Sequence, residues 1–309
     1  MRAGAFLIAL VLIAGPALGD DVSIPAPPDT LHGTRLKAGL GTPAVLMIAG
    51  SGPTDRDGNN VLGVRGASYR LLAEGLKTKG VSTLRYDKRG IGESKSAYRA
   101  TFQTLVDDAD LWATELHGTE RVDCVWLLGH SEGALIALIV ASKRHDICGL
   151  VLVSGPGRSM GDLMAAQFQA NPANPPELVN AALHIIAALK AGHTVKDVPP
   201  LLQTIFSPGN QTGLMSEINV DPAALISKTK IPVLIMQGET DIQISVQDAK
   251  LLAAAQPSAK LVLLPGMNHV LKIAPADRTA NLATYANSDL PLAPGVVDSI
   301  ATFVHEHSR

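Results

Sequence analysis

Short, uninterrupted apolar runs recur along this chain at strand length, over residues 44–49, 82–86, 125–128, 150–153, 232–236 and 261–264. A strand with one face in water alternates apolar and polar residues. A run that is apolar throughout is buried on both faces, as in a parallel sheet covered by helices. Helix-like stretches separate the runs. Residues 68–79 place Tyr69, Leu72 and Leu76 on one face and stop at Gly80, while residues 101–116 carry Phe102, Leu105, Leu111 and Trp112. Residues 246–255 and 296–306 supply two more. Strand alternating with helix predicts an α/β fold, doubly wound around a mostly parallel central sheet.

The alternation breaks over residues 157–228, where Pro172, Pro175, Pro176, Pro199, Pro200 and Pro208 punctuate helical stretches such as 177–191 and no strand is evident. This reads as a helical cap inserted between two parts of one core, residues 20–156 and 229–309. Its apolar residues include Met164, Phe168, Leu183, Ile186, Leu201, Leu202, Ile205, Phe206, Leu214 and Met215. Laid over the open end of the sheet, such a cap is expected to line a substrate pocket with its inner face. For any one of these residues, holding the insertion down is the plainer use.

Residues 1–19 read as a secretory signal peptide. Arg2 precedes an apolar stretch over residues 6–14, and the small-residue site Ala17-Leu18-Gly19 follows Gly15 and Pro16, predicting cleavage before Asp20. The stretch is well short of the ~20 residues that span a bilayer, so no membrane span is expected after cleavage. The mature chain is expected to be exported, periplasmic or secreted, where Cys124 and Cys148 can oxidise. Each precedes an apolar run, which sets them at the same end of the sheet; a disulfide and two buried thiols look alike in sequence.

Charge is nearly balanced, with 26 Lys+Arg against 28 Asp+Glu, and aromatics make up 4% of the chain. That leaves no basic excess for a nucleic-acid backbone and few platforms for stacking bases, so no nucleic-acid partner is expected. A hydrophobic fraction of 46% excludes disorder as the main state. The sequence does not fix an oligomeric state.

Chemistry is concentrated at Gly129-His130-Ser131-Glu132-Gly133, a G-x-S-x-G set between an apolar run and the helix-like residues 134–139. In that context the glycines permit a sharp strand-to-helix turn that lifts a strained serine off the strand end. The backbone N–H of Glu132, in the first helical turn, then faces a developing oxyanion. A serine nucleophile needs an imidazole, and the imidazole needs a carboxylate to fix its tautomer. Both follow in the required order. Asp241 ends the loop after residues 232–236, with Glu239 the competing carboxylate, and His269 ends the loop after residues 261–264. His130 touches the elbow and reads as a packed neighbour of the site, with lining the pocket as the alternative; His32, His117, His145, His184, His193, His305 and His307 fall on surfaces, cap or termini. No histidine pair has metal-ligand spacing with a third ligand, so neither a metal nor a cofactor is expected.

Upstream, the run 44–49 ends in Gly50-Ser51-Gly52-Pro53, where the second oxyanion donor belongs: the Ser51 N–H, or failing that the Gly52 N–H. This turn lacks the Lys-Ser/Thr of a phosphate loop and the G-x-G-x-x-G of a dinucleotide fold. With Asp55-Arg56-Asp57-Gly58-Asn59, the segment Asp87-Lys88-Arg89-Gly90-Ile91-Gly92-Glu93-Ser94, the elbow, Gly238-Glu239-Thr240-Asp241 and Asn268-His269, the chain from about residue 30 onward resembles the α/β-hydrolase superfamily. It is most similar to capped bacterial esterases grouped as serine aminopeptidase-like or dienelactone-hydrolase-like. The resemblance implies the α/β-hydrolase fold and a Ser-His-Asp hydrolase with an acyl-enzyme intermediate, carried onto Ser131, His269 and Asp241. Many relatives begin the oxyanion turn with His-Gly; here it is Ala49-Gly50. Residues 87–94 read as a loop supporting the site, with Arg89 outside the catalysis.

The expected activity is hydrolysis of carboxylic esters of small to medium acyl substrates, because the mechanism needs an attackable carbonyl and the cap is rich in Leu, Ile and Met. Aminopeptidase or amidase, thioesterase and lactonase activity on the same triad are the alternatives, with a non-catalytic binding protein of the same fold a further one. An aminopeptidase would gather cap carboxylates around a free ammonium. Asp162, Glu177, Asp197, Glu217 and Asp221 are scattered and read as solvated.

Overall fold

The computed structural model describes residues 19–120 and 122–308, so the expected signal peptide lies outside the described residues except for Gly19. In chain order the elements are β1 (Asp20–Ala26), β2 (Asp29–Leu36), β3 (Ala44–Ile48), α1 (Ser68–Thr78), β4 (Ser82–Tyr86), α2 (Phe102–Glu120), β5 (Val125–His130), α3 (Glu132–Lys143) and β6 (Ile147–Val153). There follow the helices α4 (Met160–Ala170), α5 (Pro176–Lys190), α6 (Gln203–Phe206), α7 (Pro208–Met215) and α8 (Pro222–Ile226). The chain then returns to the sheet through β7 (Val233–Gly238), α9 (Val246–Ala255), β8 (Lys260–Leu264), α10 (Arg278–Ala283) and α11 (Val296–His307).

Every apolar run of the sequence becomes a strand of one 8-stranded sheet, ordered β1-β2-β4-β3-β5-β6-β7-β8. From β4 to β8 the pairings are parallel; β1 and β2 add an antiparallel hairpin at the β4 edge. The hairpin escapes the sequence reading because β2, Asp-Thr-Leu-His-Gly-Thr-Arg-Leu, holds its place by backbone pairing with β4 as much as by its sparse apolar residues.

The continuous apolar runs are explained by burial on both faces. In β3, Ala44, Leu46 and Ile48 pack on one side with α2 and α3, while Val45 and Met47 pack on the other with α1 and α11; in β5, Val125 and Leu127 divide from Trp126 and Leu128 in the same way. The two-residue period is present but hidden, because both sides are dry. At the start of β5, Cys124 is disulfide-bonded to Cys148 of β6, with Cα atoms 5.1 Å apart.

The chain winds from β3 to β4 in one direction and reaches β5 on the other side of β3. The crevice between the C-terminal ends of β3 and β5 is therefore the switch point of the sheet, where ligands bind in open α/β folds. The loops carrying residues 50–59, 131, 241 and 269 leave the C-terminal ends of β3, β5, β7 and β8, at the same edge of the parallel strands.

Candidate active site

Ser131 stands between β5 and α3 at φ 55° and ψ −124°, a backbone conformation that L-residues rarely adopt. Its N–H is tied to the Val153 carbonyl at 2.9 Å, so the neighbouring strand β6 holds the turn in place. The flanking glycines are required by contact. A Cβ on Gly129 would lie 2.2 Å from the Gly133 carbonyl oxygen, and one on Gly133 would lie 2.2 Å from that of Ile48. Gly50 also approaches closely: a Cβ there would come within 2.9 Å of the Ser131 Cβ.

The structure brings Asp241 and His269 together, with His269 Nδ1 donating to Asp241 Oδ2 at 2.8 Å. The Asp241 side chain is fully buried. Burial alone would raise its pKa, but the His269 imidazole and the N–H groups of Ile244 and Gln243, at 3.0 and 2.8 Å from Oδ1, outweigh it and hold the carboxyl below its usual range. Gln237 adds a bond from Nε2 to Oδ2 at 3.1 Å. An ionised carboxylate on Nδ1 leaves Nε2 as the basic nitrogen. Glu239 is exposed and takes no part in this arrangement.

Ser131 and His269 share the wall of one cavity with Gly50, Ser51, Tyr69 and Tyr285. The N–H groups of Ser51, Gly52 and Glu132 have no hydrogen-bond partner among the described residues; Ser51 lines the cavity, Gly52 does not, and Glu132, also outside the lining, directly follows Ser131, which is in it. Donors left free beside a strained serine can receive an oxyanion. Of the nine histidines, His130 and His269 alone line this cavity.

His130 does more than pack. The His269 carbonyl can only accept, so His130 Nε2 carries the proton and donates to it at 2.8 Å; Nδ1 then accepts from the Tyr69 hydroxyl at 2.8 Å. The same hydroxyl accepts the Gly50 N–H at 3.2 Å. One directed chain thus joins the oxyanion turn to the backbone of His269. Burial, with His269 alongside, pushes the His130 pKa down to about 3, so the ring stays neutral. Tyr69 reads in the sequence only as part of an apolar helix face, and nothing in that periodicity reveals its hydroxyl.

Residues 87–94 form the supporting loop. Asp87 Oδ1 accepts the Arg56 N–H at 2.8 Å and Oδ2 accepts the Glu93 N–H at 2.9 Å, binding this loop to the one after β3. Arg89 is occupied by Asp29 and Asp108, remote from the cavity.

Two expectations about the insertion are corrected. No residue of 157–228 lines the Ser131 cavity. Ile186, Leu202 and Phe206, with Met164, Phe168, Leu214 and Met215 around them, pack into a separate hydrophobic cluster, and Leu201 and Ile205 are exposed. The insertion is large enough to need its own core, and that need consumes its apolar residues. Among its carboxylates, Asp162, Glu177, Asp197 and Asp221 are exposed as expected, but Glu217 is buried, with the Glu132 carboxyl as a neighbour.

Residues 63–208 match the family model described as serine aminopeptidase, S33, a span that includes Ser131 but neither Asp241 nor His269. The chain is 28% identical over 237 residues to the esterase EstD of Thermotoga maritima, an alignment covering 74% of this chain and 54% of that protein. It thus spans about half the length of that curated relative. Among solved structures, the esterase Pf2001 of Pyrococcus furiosus is similar with a TM-score of 0.60 and 18% identity, over 93% of this chain and 90% of that one. A proline iminopeptidase-related protein of Thermus thermophilus gives 0.60 at 19% identity, over 94% and 98%. With the sheet order and the elbow, these likenesses show the α/β-hydrolase fold.

Proposed function

We propose that this α/β-hydrolase is a serine hydrolase that cleaves carboxylic esters of small to medium acyl groups. The observation that carries the proposal is the strained Ser131 in one cavity with an imidazole already oriented by a buried carboxylate. His269 Nε2 takes the Ser131 proton as Oγ attacks the ester carbon, and the carbonyl oxygen becomes an oxyanion facing the N–H groups of Ser51 and Glu132, with Gly52 the reserve donor. Collapse of the adduct breaks the bond to the alcohol oxygen, which leaves with the proton from His269, and the acyl group stays on Ser131. Water, deprotonated by the same imidazole, then releases the acid and restores the serine. Asp241 stabilises the imidazolium in both halves. These steps call on side chains and backbone N–H groups alone.

The S33 family model and the iminopeptidase-related structure favour a second reading, an aminopeptidase. Against it, no carboxylate among the described residues lines the cavity to hold a free ammonium. A fluorophosphonate probe is expected to label the wild type and not Ser131→Ala, and an unlabelled wild type overturns the proposal. Rates on p-nitrophenyl esters of increasing chain length, set against aminoacyl anilides, separate esterase from peptidase.

We further propose that the chain works outside the cytoplasm, in the periplasm or as a secreted protein. The signal-like residues 1–19 and the disulfide between Cys124 and Cys148 support that location. Among the described residues no helix is long and apolar enough to cross a membrane.

A further inference from the structure

Beside the elbow lies a buried trio of ionisable groups that the mechanism above does not use: Lys88 of the loop after β4, Glu132 at the start of α3, and Glu217 of the insertion. Lys88 is 5% exposed and its Nζ donates to the Gly50 carbonyl at 2.6 Å. That carbonyl and the Ser51 N–H belong to the same peptide group. A trans peptide is planar with its C=O and N–H opposed, so a clamp on the oxygen fixes the direction of the N–H on the other side. Ser51 is on the cavity side, and Gly50 is held at its own N–H by Tyr69.

We propose that Lys88 is a positioning residue for the oxyanion hole: its ammonium pins and polarises the Gly50–Ser51 peptide so that the Ser51 N–H meets the developing oxyanion. The inference rests on the serine hydrolase reading and deepens it. An ammonium draws electron density from the carbonyl it binds, which strengthens the N–H at the far end of the amide as a donor. A neutral donor would orient the peptide with less of this polarisation.

Burial holds the Lys88 pKa below its ordinary value, and the neighbouring Glu132 carboxyl opposes that shift without cancelling it. Glu217, buried and next to Glu132, has its own pKa raised to about 9 and holds its proton at neutral pH. The trio is a cluster of buried ionisable groups within electrostatic reach of one another. It also links the insertion to the oxyanion turn: Glu217 reaches from beyond α7 to the residue whose N–H is the other donor.

The test compares Lys88→Met, which keeps length and loses the charge, Lys88→Gln, which keeps a neutral polar group, and Lys88→Arg, which keeps the charge. Each is assayed for kcat and KM on p-nitrophenyl butyrate, for inhibition by an alkyl trifluoromethyl ketone, which forms an oxyanion adduct on serine, and for Tm. Loss of an oxyanion donor outright costs about 100-fold or more in kcat, so a weakened and loosened one is expected to cost about 30-fold in Lys88→Met. KM is expected to change less than about 2-fold and ketone affinity to fall in step with kcat, since only the tetrahedral state uses the donor. Lys88→Arg is expected to recover part of the loss, and Lys88→Gln reads the same effect should the Met variant fold poorly. A folded Lys88→Met or Lys88→Gln with kcat within about 3-fold of wild type overturns the inference, as does a kcat loss without weaker ketone binding. If the wild type neither turns over esters nor accepts a fluorophosphonate, the serine hydrolase reading itself has failed.

Discussion

The Tyr69 hydroxyl accepts the Gly50 N–H and donates to His130 Nδ1, so removing it strands two buried groups at once. Tyr69→Phe is expected to cost about 2 kcal/mol of stability, measured by urea unfolding, because desolvated groups lose a partner that water cannot replace. It is also expected to lower kcat about 10-fold, through a looser Gly50 and a less constrained His269 backbone. His130, with its pKa near 3, keeps one polarity of this chain through the working pH range. Ser131, Asp241 and His269 were legible in the sequence because each follows an apolar run in the order that the elbow motif requires. Tyr69, Gln237 and Lys88 were not. The polar atoms of Tyr69 and Lys88 are defined by partners far along the chain and those of Gln237 by the fold of its own loop, and local pattern records only that their neighbours are buried.

At the scale of elements, the elbow works because α3 starts almost in contact with the end of β3. Gly133→Ala places a methyl group 2.2 Å from the Ile48 carbonyl oxygen, where backbone must move. The expected cost is about 3 kcal/mol, with displacement of Ser131 and loss of fluorophosphonate labelling at temperatures where the variant is still folded. The insertion yields a prediction of its own through Glu217. A carboxyl whose folded pKa is about 9, against 4.5 for the free side chain, binds its proton more tightly in the native state. Its contribution to stability is complete below about pH 4.5 and is lost as pH rises toward about 9. Glu217→Gln, which mimics the protonated acid, is therefore expected to gain on the wild type by roughly 2 kcal/mol or more between pH 5 and pH 8. Melting curves at the two pH values check it, and an unchanged difference would show Glu217 ionised in the native state. The helical character of the insertion was legible from its punctuation and missing strand. The destination of its apolar residues was not, because lining a pocket and filling a small core ask for the same side chains.

For the molecule as a whole, the disulfide joins β5, which carries the nucleophile, to β6, which anchors it through Val153, at the end of the sheet away from the cavity. Closing the intervening loop in the unfolded chain accounts for about 3 kcal/mol in the chain-entropy account. Cys148→Ser, or reduction, is expected to lower stability by that order while kcat at 25 °C stays within about 2-fold, as read by denaturation and ester hydrolysis. The sequence by itself determined the six parallel strands of the sheet, though not the β1–β2 hairpin, since runs apolar on every residue have no stable place except between two covering layers. It also pointed to Ser131, Asp241 and His269 as the candidate triad, since the chemistry dictates their kinds, the strand-to-helix elbow suggests their order, and each loop begins where a strand ends. Only the tertiary structure decided which cysteine state is adopted, that the cavity is walled by core loops, and that Lys88, Glu132 and Glu217 meet. Those outcomes depend on distances between segments many residues apart, and a distance of that kind is set when all the layers pack together.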